Sequence, residues 1–161
     1  MKLMIKETTL LFFESIEDIL KEGNIVIRPD EYSDHIAAGD HRYFSAHNKN
    51  KLVGVSAMVR FIDQVNNKTR IYHRAAWTHP DYRKTGVWTK LMKHKLNYIN
   101  DFNWCENNTI HMVTVAITDH RYRNLGWQFW NRTAQNTQTG QILRDTWYVT
   151  WGELKKQYGI E

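Results

Sequence analysis

The sequence predicts a mixed α/β domain with a largely antiparallel sheet. Three observations carry this reading. Short runs of alternating apolar and polar residues recur between turn residues, as strands with one face on a core require. Two segments, 12–21 and 86–100, instead repeat their apolar residues at helical spacing. The 161 residues, 42% hydrophobic and 24% charged, suit one domain, 1–161, with one core.

Residues 3–8 form the first expected strand. Phe12/Phe13, Ile16 and Ile19/Leu20 then define a helix over 12–21, stopped by Gly23-Asn24. A short extended piece, 25–28, ends at Pro29, and 30–40 is ambiguous. Residues 42–47 and 52–62 read as strands around the turn 48–51. The turn 63–68 leads into a strand over 69–78.

The pattern then changes. Residues 80–85 are a polar loop, and 86–100 are helical with Trp88, Leu91/Met92, Leu96 and Ile99 on one side. The stretch 110–117 is apolar on both faces, as a buried central strand is. A short helix over 119–125 stops at Gly126. Strands 127–131 and 142–151 close the chain around the polar stretch 131–141, which reads as a hairpin loop.

Composition narrows the function classes. Cys105 is the single cysteine, so no internal disulfide forms and a reducing, cytoplasmic setting is the default. No stretch resembles an export signal, and no apolar run approaches the ~20 residues that span a bilayer. The net charge of +5 favours anionic ligands: phosphates, nucleic acid or acidic proteins. No long Lys/Arg run is present, so nucleic acid is the less favoured partner. The eight histidines lack metal-ligand spacing, and no Ser-His-Asp set is apparent.

Residues 77–92 concentrate the chemistry. A strand ends at Trp77-Thr78, a polar loop carries Arg83 and Lys84, and a helix starts at Gly86. The first turn of a helix has N–H groups without internal partners, and the helix dipole adds to their pull on anions. Gly86 allows a ligand close to the backbone. A diphosphate-like anion fits this loop. A generic strand-loop-helix with a solvated basic loop is the plainer alternative.

The stretch His79-Pro80-Asp81-Tyr82-Arg83, followed by Arg83-x-x-Gly86-x-Trp88, resembles the acetyl-CoA signature of the GNAT acetyltransferase superfamily. It departs from the signature at Trp88, where a small residue is usual. Tyr122-Arg123-Asn124-Leu125-Gly126-Trp127 resembles the family's second motif. The resemblance covers roughly 42–151. It implies a V-shaped splay between strands 69–78 and 110–117, with acetyl-CoA as co-substrate. The pantetheine would run along Trp77 and Thr78, and Arg83, Lys84, Thr85, Gly86, Val87, Trp88 and Thr89 would hold the pyrophosphate. Tyr122 would protonate the leaving thiolate. No carboxylate occupies 69–79, so His73 and His111 on the two central strands are the candidate bases.

The leading expectation is an N-acetyltransferase acting on a primary amine by direct attack. A GNAT-fold protein without transfer activity, serving as a binding or structural part, is the second; Trp88 and the missing strand carboxylate favour it. A phage-type nucleic-acid-modifying enzyme resembling Mom is the third. Asp119-x-Arg121, the aromatic content and the basic pI of about 9.3 favour that one. A homodimer is left open. Trp147, Tyr148 and Trp151 either line an acceptor pocket or pack in the core.

Overall fold

The computed structural model describes residues 1–28, 33–137 and 139–161. These form a seven-stranded sheet in the order β1-β2-β3-β4-β5-β7-β6. The strands are β1 (Leu3–Thr8), β2 (Asp40–Asn48), β3 (Lys51–Asp63), β4 (Lys68–Thr78), β5 (Ile110–Ala116), β6 (Gln128–Thr137) and β7 (Gly140–Thr150). All neighbours are antiparallel except β4 and β5. The helices are α1 (Leu10–Ser15), α2 (Glu17–Glu22), α3 (Asp34–Ala37), α4 (Val87–Asp101), α5 (Arg121–Asn124) and α6 (Trp151–Tyr158).

Two layers of helix sandwich part of this sheet. On one face α4 buries Val87, Leu91, Met92, Lys95, Leu96 and Ile99. Gly54 of β3 permits the close approach: a Cβ there would stand 2.7 Å from a Val87 methyl. Trp151 and Leu154 of α6 complete this core. On the other face Phe13 and Leu20, from α1 and α2, pack with Tyr43, Val55 and Ala57.

Several boundaries differ from those the sequence suggests. The single helix expected over 12–21 is two, α1 and α2, parted at Ile16 (φ −113°, ψ 22°). Thr9 starts α1 by accepting from the Phe12 N–H at 3.2 Å, and Gly23 ends α2 as expected. Residues 25–28 join no strand, and the ambiguous stretch holds α3; Pro29 lies outside the described residues. The polar loop expected over 131–141 is mostly strand. β6 and β7 pair from Gln128↔Tyr148 to Thr137↔Gly140. As the sheet's edge, β6 faces solvent along most of its length and needs no apolar residues there. Trp127 is no strand residue. It follows Gly126 (φ 87°) and buries its ring on Tyr122. The expected helix over 119–125 shortens to α5, and α6 was not anticipated. Trp147 and Trp151 are core residues, whereas the Tyr148 hydroxyl donates to Gln128 at 2.6 Å.

The parallel pair β4–β5 is the hinge of the architecture. It is in register only from Arg70↔Ile110 to His73↔Val113. Beyond those residues β4 continues along β3, and β5 continues along β7. A bulge marks the departure. Val55 pairs with Trp77 and Ala57 with Arg74, so Ser56 faces both Ala75 and Ala76. Ala75 takes a left-handed φ of 54° to allow this. A bulge bends its strand and adds twist, which carries β4 away from β5.

Candidate active site

A cleft of about 1040 Å³ opens where the two strands part. Trp77, Thr78, Arg83, Lys84, Gly86, Val87, Trp88, Thr89 and Tyr122 all line it; Thr85 does not, and its hydroxyl donates to the Tyr82 carbonyl. The structure therefore brings the two sequence motifs to one place.

The start of α4 forms one end of the cleft. Gly86 is its N-cap, at φ 92°, with no side chain capping the free amides. The first helical bond runs from the Lys90 N–H to the Gly86 carbonyl at 3.0 Å, so the N–H groups of the first turn have no partner within the helix. Nothing lies within 4 Å of where a Cβ on Gly86 would project. Arg83 is exposed and tied by its Nε to the Thr78 carbonyl at 3.3 Å. Lys84 is exposed in a left-handed turn at φ 63°. Amides, dipole and two cations together can hold a polyanion.

Trp88 and Tyr122 close the middle of the cleft. Their rings meet edge to face at 5.7 Å, and the Arg121 guanidinium lies 4.2 Å over the indole. Tyr122 is 4% exposed and packs on Trp127 at 4.9 Å. Burial pushes its phenol well above the usual tyrosine range, while the nearby Arg121 charge opposes the shift. Asp119 is the one carboxylate among the described cleft-lining residues. It accepts from the Arg121 N–H at 3.0 Å and is ion-paired with that side chain at 4.0 Å.

His73 and His111 are placed elsewhere. They belong to the paired end of β4–β5, 4% and 0% exposed, and neither lines the cleft. His73 Nε2 and His111 Nδ1 are hydrogen-bonded at 2.8 Å, and His111 stacks on Trp151 at 5.2 Å. Burial holds both rings far below the usual histidine range, His111 at about 3, and the Lys95 charge adds to the effect. Lys95 itself is 1% exposed, with its Nζ 3.5 Å from the Ala57 carbonyl, and burial lowers it to about 7. Cys105 approaches His111 at 3.6 Å with its thiol pushed up to about 12, so it is no thiolate at neutral pH.

A second cleft, about 990 Å³, lies near Asp40, Arg60 and Trp104. Arg60 is bound to Asp40 at 3.3 Å and stacked 4.7 Å over Trp104, so its charge is already engaged. Among the described residues no group of three or more His, Cys, Asp or Glu could hold a metal ion, and no helix is long and apolar enough to cross a membrane.

A seven-stranded sheet, a bulged fourth strand, and a parallel pair that parts over an uncapped helix start define the GNAT fold, and this chain has it. Solved structures with this fold superpose along nearly the whole chain. Arabidopsis thaliana NAA60 in complex with acetyl-CoA is similar at 13% identity and a TM-score of 0.67, covering 92% of this chain and 98% of its own. FeeM, an N-acyl amino acid synthase from uncultured soil microbes, gives 10% and 0.69, with 97% and 94% covered. The ribosomal-protein-S18-alanine N-acetyltransferase of Escherichia coli gives 11% and 0.57, with 92% and 94% covered. No protein-family model and no curated protein matches the sequence.

The sequence motifs did not reveal Tyr72, Thr114 or Arg144, which also line the cleft; Arg121, noted in Asp119-x-Arg121, lines it as well. Arg144 sits in the polar run Arg144-Asp145-Thr146 of β7, which carries no motif that would have singled it out.

Proposed function

We propose that the chain is an N-acetyltransferase that binds acetyl-CoA in this cleft and passes the acetyl group to a primary amine. The observation that carries the reading is the parting of β4 from β5 directly above the uncapped start of α4. The opening exposes strand backbone at Ala75–Thr78 for the pantetheine arm. The amides of α4's first turn, with Arg83 and Lys84, would take the pyrophosphate. The acetyl-CoA complexes of proteins sharing this fold support the choice of co-substrate.

The acetyl group would then sit between the parted strands. The amine nitrogen bonds the carbonyl carbon as the C–S bond breaks. The proton the nitrogen loses balances the proton the thiolate gains. Tyr122 is the candidate donor to sulfur: its raised pKa keeps the phenol protonated and makes it a hydrogen-bond donor more than a ready acid. His73 and His111 are buried off the cleft, so water is the proposed acceptor of the amine's proton.

Calorimetry with acetyl-CoA, CoA and duplex DNA, paired with a thiol-release assay, tests the reading. Saturable acetyl-CoA binding and thiol release upon amine addition are expected. Binding without release at any amine would favour the second reading, a fold kept without transfer, with Trp88 standing in the cleft where the signature has a small residue. Steeply salt-dependent DNA binding without CoA binding would favour a nucleic-acid-directed enzyme.

A further inference from the structure

The far end of the same cleft has a chemistry of its own. Arg144 lies on β7, opposite Ala116 of β5 and Thr133 of β6. Its Nε donates to the Gln135 side-chain carbonyl, which fixes the guanidinium at the cleft wall. Arg70 and Arg132 on neighbouring strands have carboxylates, Asp63 at 2.8 Å and Asp145 at 2.7 Å, while Arg74 of the cleft's β4 wall donates to the Val26 carbonyl at 2.6 Å. Among the described residues Arg144 has a neutral amide instead. A half-buried cation without an anion is unfavourable for stability, so Arg144 points to a role other than holding the fold.

The surroundings point the same way. Tyr72, Thr114 and Thr133 line this end with hydroxyl groups, the Thr114 hydroxyl being paired with that of Thr146 at 2.9 Å. Arg144's positive charge reaches the Tyr72 phenol, where it opposes the upward push of burial. The cleft's one described carboxylate, Asp119, is taken by Arg121. A positive cleft repels polycationic acceptors and draws in anions.

We propose that the acceptor is a small amine that also bears an acid group, a carboxylate or a phosphate, and that Arg144 binds that group. This rests on the acetyl-transfer reading of the cleft. The spacing sets the size of the acceptor. Arg144 stands one strand, about 5 Å, from the β5 edge where the acetyl group would lie. The acid and the amine are therefore separated by a few bonds, as in an amino acid. A guanidinium fork suits a carboxylate or phosphate through paired hydrogen bonds.

The test compares glycine, glutamate, phosphoethanolamine, glycinamide and spermidine. Each is titrated into CoA-loaded and CoA-free protein and assayed for acetyl transfer. Glycine or glutamate binding over glycinamide assigns the site to carboxylates, and phosphoethanolamine binding assigns it to phosphates. Acid-bearing amines are expected to bind at least tenfold tighter than glycinamide and spermidine. Arg144→Gln should weaken them at least tenfold without changing acetyl-CoA affinity, and Arg144→Lys should restore part of the loss. Equal binding to wild type and Arg144→Gln, or a preference for spermidine or glycinamide, overturns the proposal. Arg144-dependent binding of glutamate to a protein that never binds acetyl-CoA would keep the anion site and remove the transferase reading.

Discussion

The two ends of the β4–β5 pair are built from the same two strands and have opposite character. At the paired end, residues 70–73 and 110–113 close a ladder over α4, and His73, His111 and Lys95 are sealed in the core. At the parted end, residues 74–78 and 114–116 have lost each other and line an open cleft with cations around it. Polar side chains that face a protein core are forced neutral; those that face the cleft stay free to meet a ligand. The type of residue on a strand says little about function until the ladder's end is located.

The largest expected effect tests the sealed end through pH. An ordinary lysine titrates near 10.4 and Lys95 at about 7. Between those values the unfolded chain binds the extra proton, so stability should rise with pH from about 7 toward 10, at up to about 1.4 kcal/mol per unit. His111, at about 3, should add a second rise from about pH 3 to 6.5, lost again on acidification. Lys95→Met should abolish the alkaline rise and raise the melting temperature at pH 6. A wild-type melting temperature that is flat between pH 7 and 9 would show that Lys95 finds solvent.

At the parted end, Gly86→Val should matter next. It places a branched side chain at φ 92° and into the opening. Acetyl-CoA affinity should fall on the order of 100-fold, about 2.7 kcal/mol, with the circular dichroism spectrum retained. Unchanged affinity in the folded variant would move the phosphate site away from α4.

Tyr122→Phe should lower turnover by about tenfold or more while leaving acetyl-CoA affinity intact. The ring contacts with Trp88 and Trp127 survive this change, so a loss of melting temperature without a loss of turnover would mark the hydroxyl as structural. Arg83→Glu should have the smallest effect. Its side chain is exposed, so affinity should drop several-fold at low salt and recover toward wild type as salt screens the charge. A salt-independent loss would instead indicate that Arg83 shapes the loop through its bond to the Thr78 carbonyl.

Much of the sheet was legible because its strands alternate and its turns are marked by residues such as Asn48–Lys51 and Asp63–Lys68. The loop before α4 was legible because an anion site needs glycine and cations in sequence, and Arg83, Lys84 and Gly86 supply them. What the sequence hid depends on three dimensions. Residues 131–137 are as polar as a loop because one edge strand facing water has no core to fill. Ile16 keeps a helical period while its backbone breaks between α1 and α2. His73 and His111 were natural candidates for a base, since a strand's inward and outward faces look alike in a sequence apolar on both. Their burial places them with Lys95 instead. Arg144 gave no motif at all; it matters because β7 ends up beside β5, far from it in the chain.

The bulge at Ala75–Ala76 has a consequence for how this cleft can be gained or lost. It is a difference in length between two neighbouring strands, one residue opposite two, and no side chain encodes it. Point substitutions can strip the cleft of its cations and rings, yet the strands would still part. Removing one residue at 75 or 76 would bring β4 back into step with β3. Trp77 and Thr78 would keep Val55 and Gly54 as partners, but the local bend would be lost and the gap beside β5 would narrow. The opening is thus written in the count of residues, and its most efficient eraser is a single-codon deletion.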